Sequence, residues 1–314
     1  MDVRFDGVRF KRGKRTILDL PRLEFATGRV TALLGPNGSG KTTALRLIAG
    51  LEPVDLGCVT VGGTEVRRAS DAAPHVAIAF QRAVMLRGSV RHNLDIALRF
   101  RGLDEAERRA RIETVASACT FGNLLDREAR SLSGGEGQRV NLGRALALEA
   151  PVTLLDEPLA GFDAEARREM MLRLPGLLRQ FGSTVILVTH DRDEAVRLAE
   201  DVVVLREGRV VAMGEAATIF SQPPDAETAA YFGYTVLRCE DRTIAIAPGQ
   251  LVLGEGEVRF SVTVERMVDL GGAIEGVGLL GDVSMTFRID PTHAAPSPGE
   301  VVFVSVDKRS VVRF

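Results

Sequence analysis

One stretch limits what this chain can become: "RVTALLGPNGSGKTTALRLIAGL", residues 29–51. Val30 to Leu34 is a continuous apolar run, as expected of a strand covered on both faces. "GPNGSGKT", Gly35 to Thr42, follows it and fits G-x-x-x-x-G-K-[ST]. Thr42 to Ile48 then reads as a helix that stops near Gly50. In this order the pieces make a phosphate cradle. Glycines let successive backbone N–H groups turn inward around oxygen atoms, and the helix aims its positive end at the same anion. Lys41 can reach β- and γ-phosphates, and the Thr42 hydroxyl can ligand Mg²⁺. The candidate nucleotide-binding set is therefore Gly35, Pro36, Asn37, Gly38, Ser39, Gly40, Lys41, Thr42 and Thr43.

Further apolar strands end in polar residues. "HVAIAF" runs up to Gln81, "VTLLDEP" carries Asp156 and Glu157 at its end, and "STVILVTHD" carries His190 at the end of its "VILVTH". Helical stretches at 163–181 and 192–200 follow the last two, so a mainly parallel α/β sheet is predicted. Ligands of such sheets bind at the carboxyl edge. Asp156 suits Mg²⁺, and Glu157 can act as general base on water. Gln81 can orient water or touch Mg²⁺ through its amide, and His190 completes the cluster. "VRFDGVRF" and "LPRLEF" read as short strands. Residues 89–119 read as helices with Asp104 as a cap, and a hairpin is expected around Glu207-Gly208.

The totals exclude several classes. With 314 residues, about two domains are expected. A 45 % apolar and 26 % charged composition predicts a packed core. A net charge of −2 gives no positive field for nucleic acid, and "RFKRGKR" reads as a solvated loop. Cys58, Cys119 and Cys239 form no CxxC pair, which argues against zinc or redox roles and fits a reducing cytosol. No apolar run is long enough to span a bilayer. "MDVRFDGVRF" lacks a signal-like apolar core, so secretion is not expected.

After about residue 230 helical periodicity stops. "EVRFSVTV", "DVSMTFRI" and "EVVFVSV" alternate apolar and polar residues between glycine-rich turns. A small β-barrel or sandwich is predicted. The expected division is 1–230 and 235–314, with "QPPDAE" opening the transition.

"SLSGGEGQR" at 131–139 begins another helix, with Ser133 as its cap and Gly134 and Gly135 in its entry turn. The order GPNGSGKT, Gln81, LSGGEGQR, LLDEP, Asp163, His190 resembles the ATP-binding-cassette ATPases over residues 1–230. The resemblance implies a P-loop NTPase core with a helical insert at about 85–150, acting on ATP with Mg²⁺. Lys41 and Thr42 would be Walker A residues, Gln81 the Q-loop, Asp156 and Glu157 Walker B, Asp163 the D-loop, and His190 the switch histidine. It also implies a head-to-tail dimer, in which Ser133, Gly134 and Gly135 complete the ATP site of a second copy. The insert would contact integral-membrane permease subunits served by a solute-binding protein. Such a subunit sits peripherally at the cytoplasmic face of the inner membrane.

The family often stacks an aromatic ring on adenine where this chain has Arg12. Arg12 could stack through its guanidinium plane, Phe10 could shift in, or Arg12 could be a plain exposed residue. Glu136 and Gly137 replace frequent glutamines, and an acid near phosphates is less helpful than an amide. Residues 235–314 resemble the OB-like TOBE barrel appended to many importer ATPases. "AFQRAVMLRGSVRHNL" is similar to tungstate and molybdate importer ATPases, which makes an oxyanion a candidate solute. "GLLGDVS" with Ser284 is either an anion site or a glycine-rich hairpin. The alternatives are an export or non-transport cassette, or an ATPase gated by an anion-sensing barrel.

Overall fold

The computed structural model describes residues 1–181, 184–239, 242–271, 273–290 and 293–314. Ser183, the Cys239 side chain and Gly272 of the glycine-rich turn after Asp269 lie outside that description. The chain divides into two compact units, Met1–Ala217 and Thr218–Phe314.

The first unit is built on a six-stranded sheet. Its spatial order is Arg209–Glu215, Asp201–Arg206, Val30–Leu34, Thr184–Val188, Val152–Asp156 and Val76–Ala79. All neighbours are parallel except the first pair, the expected hairpin around Glu207-Gly208. Both turn residues have positive φ, 51° and 79°, which suits the twist of a tight antiparallel connection. The central strands are buried on both faces, which is why they read as unbroken apolar runs. Alternation splits their side chains between two cores. Ile186 and Val188 join one core with the helix Lys41–Ile48 and a second, antiparallel sheet. That sheet holds Val3–Arg12, Arg15–Phe25, Leu56–Val61 and Thr64–Glu65. Val185 and Leu187 face the other core, made with the helices Val90–Arg99, Glu105–Ala118, Gly134–Ala147 and Ala164–Phe181. Asp104 caps its helix as expected, in a reciprocal box with Glu107.

The second unit contains a closed barrel of Val252–Leu253, Val283–Ile289, Ile274–Leu280, Val258–Asp269 and Val301–Val306, so barrel replaces sandwich as the description. Met285, Phe287 and Ile289 point inward to meet Val262, Val264, Val304 and Val306. Gly276 is required there, because a Cβ would lie 2.2 Å from the Phe287 ring. "GLLGDVS" is a hairpin with Leu280 opposite Val283, and Ser284 faces solvent. Thr235–Cys239, Arg242–Ile246 and Val311–Arg313 form a separate three-stranded sheet. The unit begins before residue 230 because residues 220–234 are tied together. The Tyr234 hydroxyl donates to the Phe220 carbonyl at 2.7 Å, and the Phe220 and Phe232 rings lie 4.8 Å apart. Among the described residues, no helix is long and apolar enough to cross a membrane.

Candidate functional site

The glycines at 35–42 shape the turn between the central strand and its helix. Gly35, Gly38 and Gly40 have φ of 144°, 80° and 104°, conformations that other residues rarely adopt. A Cβ at Gly35 would lie 2.0 Å from the Leu205 carbonyl oxygen. Gly40 is the helix N-cap and supplies no side-chain hydrogen bond, so the first N–H groups of that helix are left for a ligand. The Lys41 ammonium donates to the carbonyls of Gly35 at 2.7 Å and Pro36 at 3.0 Å. The Ser39 hydroxyl is buried in the same turn with no partner.

The neighbouring strand end brings the acids. Thr42 Oγ1 donates to Asp156 Oδ1 at 3.3 Å. Asp156 is the last residue of a fully buried strand and is 3 % exposed. Burial pushes its carboxyl above the ordinary value, against the Thr42 hydrogen bond and Lys41. Burial likewise lowers Lys41, against the attraction of Glu157 and Asp156. Two groups of opposite charge thus sit where desolvation penalises both, and a metal–phosphate ligand would favour the charged form of each. The donor set fits Mg²⁺: a hydroxyl and a carboxylate already in contact are the one or two hard oxygen ligands this ion takes beside phosphates.

Glu157 follows in a left-handed backbone conformation, φ 48°, with its N–H on the Val188 carbonyl at 2.9 Å. Its carboxylate is held at both oxygens. Gln81 Nε2 donates to Oε2 at 2.8 Å, and His190 Nδ1 lies 3.0 Å from Oε1. The sequence put Gln81 at the very end of its strand. Regular pairing stops at Ala79 opposite Leu155, and Gln81 lies beyond it in a bend. The Gln81 amide meets Glu157 there, and two side chains of a later helix support it. Asn141 Nδ2 donates to the Phe80 carbonyl at 2.8 Å, and Gln138 Nε2 to the Glu157 carbonyl at 3.4 Å. Gln138 and Asn141 were not singled out from sequence. Buried amides three residues apart on one helix face were the readable signal.

A cavity of about 330 Å³ opens beside these groups, with Asp156 and His190 outside its lining. Its wall includes Arg12, Asn37, Gly38, Gly40, Lys41, Thr42, Thr43, Gln81 and Glu157. Arg15, Ile17 and Val188 also line it and were missed, since nothing in their spacing marks them. Arg12 is exposed and paired with Glu52 at 2.7 Å. Phe10 is buried at 6 % exposure in the core beneath the antiparallel sheet and does not line the cavity.

Ser133, Gly134, Gly135 and Asp163 do not line this cavity. Ser133 and Asp163 are exposed, and the two segments lie side by side. The Cα of Gly135 faces Gly161, where a Cβ would be 3.1 Å from the carbonyl oxygen, and Arg139 stacks 5.8 Å from the Phe162 ring centroid. Ser133 caps the helix Gly134–Ala147, and Asp163 Oδ1 accepts from the Ala166 N–H at 2.8 Å. Glu136 is fully engaged: Oε2 accepts from the Ser133 N–H at 2.8 Å, and Oε1 pairs with Arg127 at 2.8 Å. The Ser133 N–H first, and Arg127 after it, hold its carboxyl below the ordinary range.

A family model described as ABC transporter matches residues 18–160. The lactose transport ATP-binding protein LacK of Rhizobium radiobacter is 32 % identical over 297 residues, which cover 94 % of this chain and 80 % of LacK. The chain belongs to the ABC transporter family. The sn-glycerol-3-phosphate import ATP-binding protein UgpC of Chromohalobacter salexigens is 33 % identical, with 93 % of this chain and 89 % of UgpC covered. Among solved structures, the dimeric post-hydrolysis state of the ATP-binding cassette MJ0796 bound to ADP and Pi aligns with a TM-score of 0.62. Identity there is 26 %, over 68 % of this chain and 98 % of that one. This ABC cassette is therefore an ATP-binding and ATP-hydrolysing subunit, and its cofactors are ATP and Mg²⁺.

Proposed function

We propose that this chain powers an importer as one of two cassettes that close head to tail over two ATP·Mg²⁺. The carrying observation is the Glu157 carboxylate, held between Gln81 and His190 beside Lys41, Thr42 and Asp156. Lys41 and the glycine-turn N–H groups neutralise and orient the phosphates, and Thr42, Asp156 and the Gln81 carbonyl hold the metal. Glu157 takes a proton from the attacking water, and His190 steadies the γ-phosphate. Arg12 faces the base. Ser133, Gly134, Gly135 and Asp163, which lie off the chain's own cavity, serve the ATP of the second copy, as the dimeric cassette bound to ADP and Pi suggests.

The cassette lies within residues 1–230, and its segment after Gln81 meets the permease at the cytoplasmic face of the inner membrane, where the chain is peripheral. Residues 235–314 form an appended TOBE-like domain. LacK and UgpC carry names for lactose and sn-glycerol-3-phosphate, which supports a sugar or polyol-phosphate class of solute delivered by a binding protein. Tungstate or molybdate rests on the stretch at residues 79–94 alone, and those relatives lend it no support. The test of the catalytic reading is Glu157→Gln. ATP binding should persist, hydrolysis should fall about 10²- to 10⁴-fold, and ATP should trap a dimer in size-exclusion chromatography. A monomeric variant with normal turnover would remove Glu157 from its role.

A further inference from the structure

We infer that Arg127 is a positioning residue for the ATP contact at the start of the helix Gly134–Ala147. It cancels the charge of Glu136 and keeps that carboxylate turned onto its own helix. This rests on reading Ser133–Gly135 as part of the second copy's ATP site.

An acid in the first turn of a helix suits the helix dipole but competes with any phosphate brought to the same N–H groups. The cap itself does not need a charge, because glutamine closes the same reciprocal box with serine. The negative charge at Glu136 is therefore an extra burden at this helix end, and it must be met locally. Arg127 is built to meet it. Its N–H donates to the Leu124 carbonyl at 3.0 Å, and its carbonyl accepts from the Val90 N–H at 3.0 Å, so its backbone is fixed. The acids on either side of it in sequence are already engaged. Asp126 pairs with Arg91 at 3.4 Å, and Glu128 accepts from the Gly88 N–H at 3.0 Å. Arg130 reaches instead to the Met85 carbonyl. The Arg127 side chain crosses to Glu136 Oε1 at 2.8 Å while the other carboxylate oxygen stays on the Ser133 N–H. Side-chain exposures of 46 % and 26 % mean that the pair adds little to folding stability. Its effect lies in the local field met by an incoming polyanion.

The test measures the ATP concentration for half-maximal association, by light scattering, in the slowly hydrolysing Glu157→Gln chain. Arg127→Ala should raise that concentration roughly three- to tenfold at low salt and less at high salt. Arg127→Lys, which keeps the charge, should restore it. In a Glu136→Gln background the same Arg127→Ala change should cost less than about twofold, because no charge is left to cancel. Melting temperatures separate this from misfolding, and Arg127→Gln replaces the alanine if that variant does not fold. An equal cost in both backgrounds, or no cost in either, overturns the inference. A Glu157→Gln chain that never associates with ATP, while still binding it, overturns the underlying reading of Ser133–Gly135 as well.

Discussion

Two helices of the cassette begin at glycine-rich turns, and they close their first turns in opposite ways. The helix Lys41–Ile48 starts at Gly40, has no side-chain cap and carries no acid in its first turn. The helix Gly134–Ala147 starts at Ser133, has a complete capping box and carries Glu136. The first end is open and has a cation beside it, so it can hold a polyanion by itself. The second has partly satisfied itself, which fits the proposed part of Gly134 and Gly135 in a phosphate site whose main parts lie elsewhere. On the proposed reading, one motif serves nucleotide affinity and the other serves closure.

The largest effect that could break this contrast is at the open end. Lys41→Met should weaken ATP binding roughly 10- to 100-fold by loss of charge-assisted hydrogen bonds, as read by calorimetry. Retained affinity would mean that the two ends are not so different. Ser133→Arg should do the reverse. Nucleotide binding to the single chain should stay within about twofold, while ATP-driven dimerisation disappears in size-exclusion chromatography.

A smaller effect separates stability from function at the open site. The Asp156 carboxyl is raised in the folded chain, with burial as the first cause. A raised group favours folding below its ordinary range, and that gain is lost as pH rises through the folded value. At neutral pH the buried carboxylate thus opposes folding. Asp156→Asn should raise the melting temperature by a few degrees in the absence of nucleotide, while hydrolysis collapses. The stabilisation should shrink as pH falls into the acid range, which a pH series of melts would measure. The smallest effect is Ser133→Ala, which removes a helix cap worth about 1 kcal/mol and should lower chemical-denaturation stability by that order.

Much of the site was legible because its parts are local. A strand, a glycine turn and Lys41-Thr42 are contiguous, and the apolar runs ending in Asp156 and His190 announce a covered parallel sheet. What stayed hidden was set by register and packing between distant segments. Gln81 lies past the end of its strand with its amide on Glu157, a contact across 76 positions of sequence. Arg15 and Ile17 reach the cavity from the antiparallel sheet, whose placement no motif encodes. Phe10 alternates as a core residue should, and it packs in the core, off the cavity wall. Glu136 looked electrostatically awkward because Arg127 lies nine positions away, outside the motif. In the second unit, alternation marked the strands but not their closure into a barrel. The short helices Ala216–Ser221 and Ala226–Tyr231 are too brief to show a period.

Glu157 adopts a left-handed backbone, φ 48°, which costs a non-glycine residue about 1 kcal/mol or more. Glycine would relax that bend, as asparagine would relieve the buried charge next to it at Asp156. A selection for thermal resistance that ignored turnover would therefore favour changes at these two positions. The chain would gain robustness by giving up its engine, and improving this protein's shelf life will require assays in which ATP consumption is scored alongside every melt.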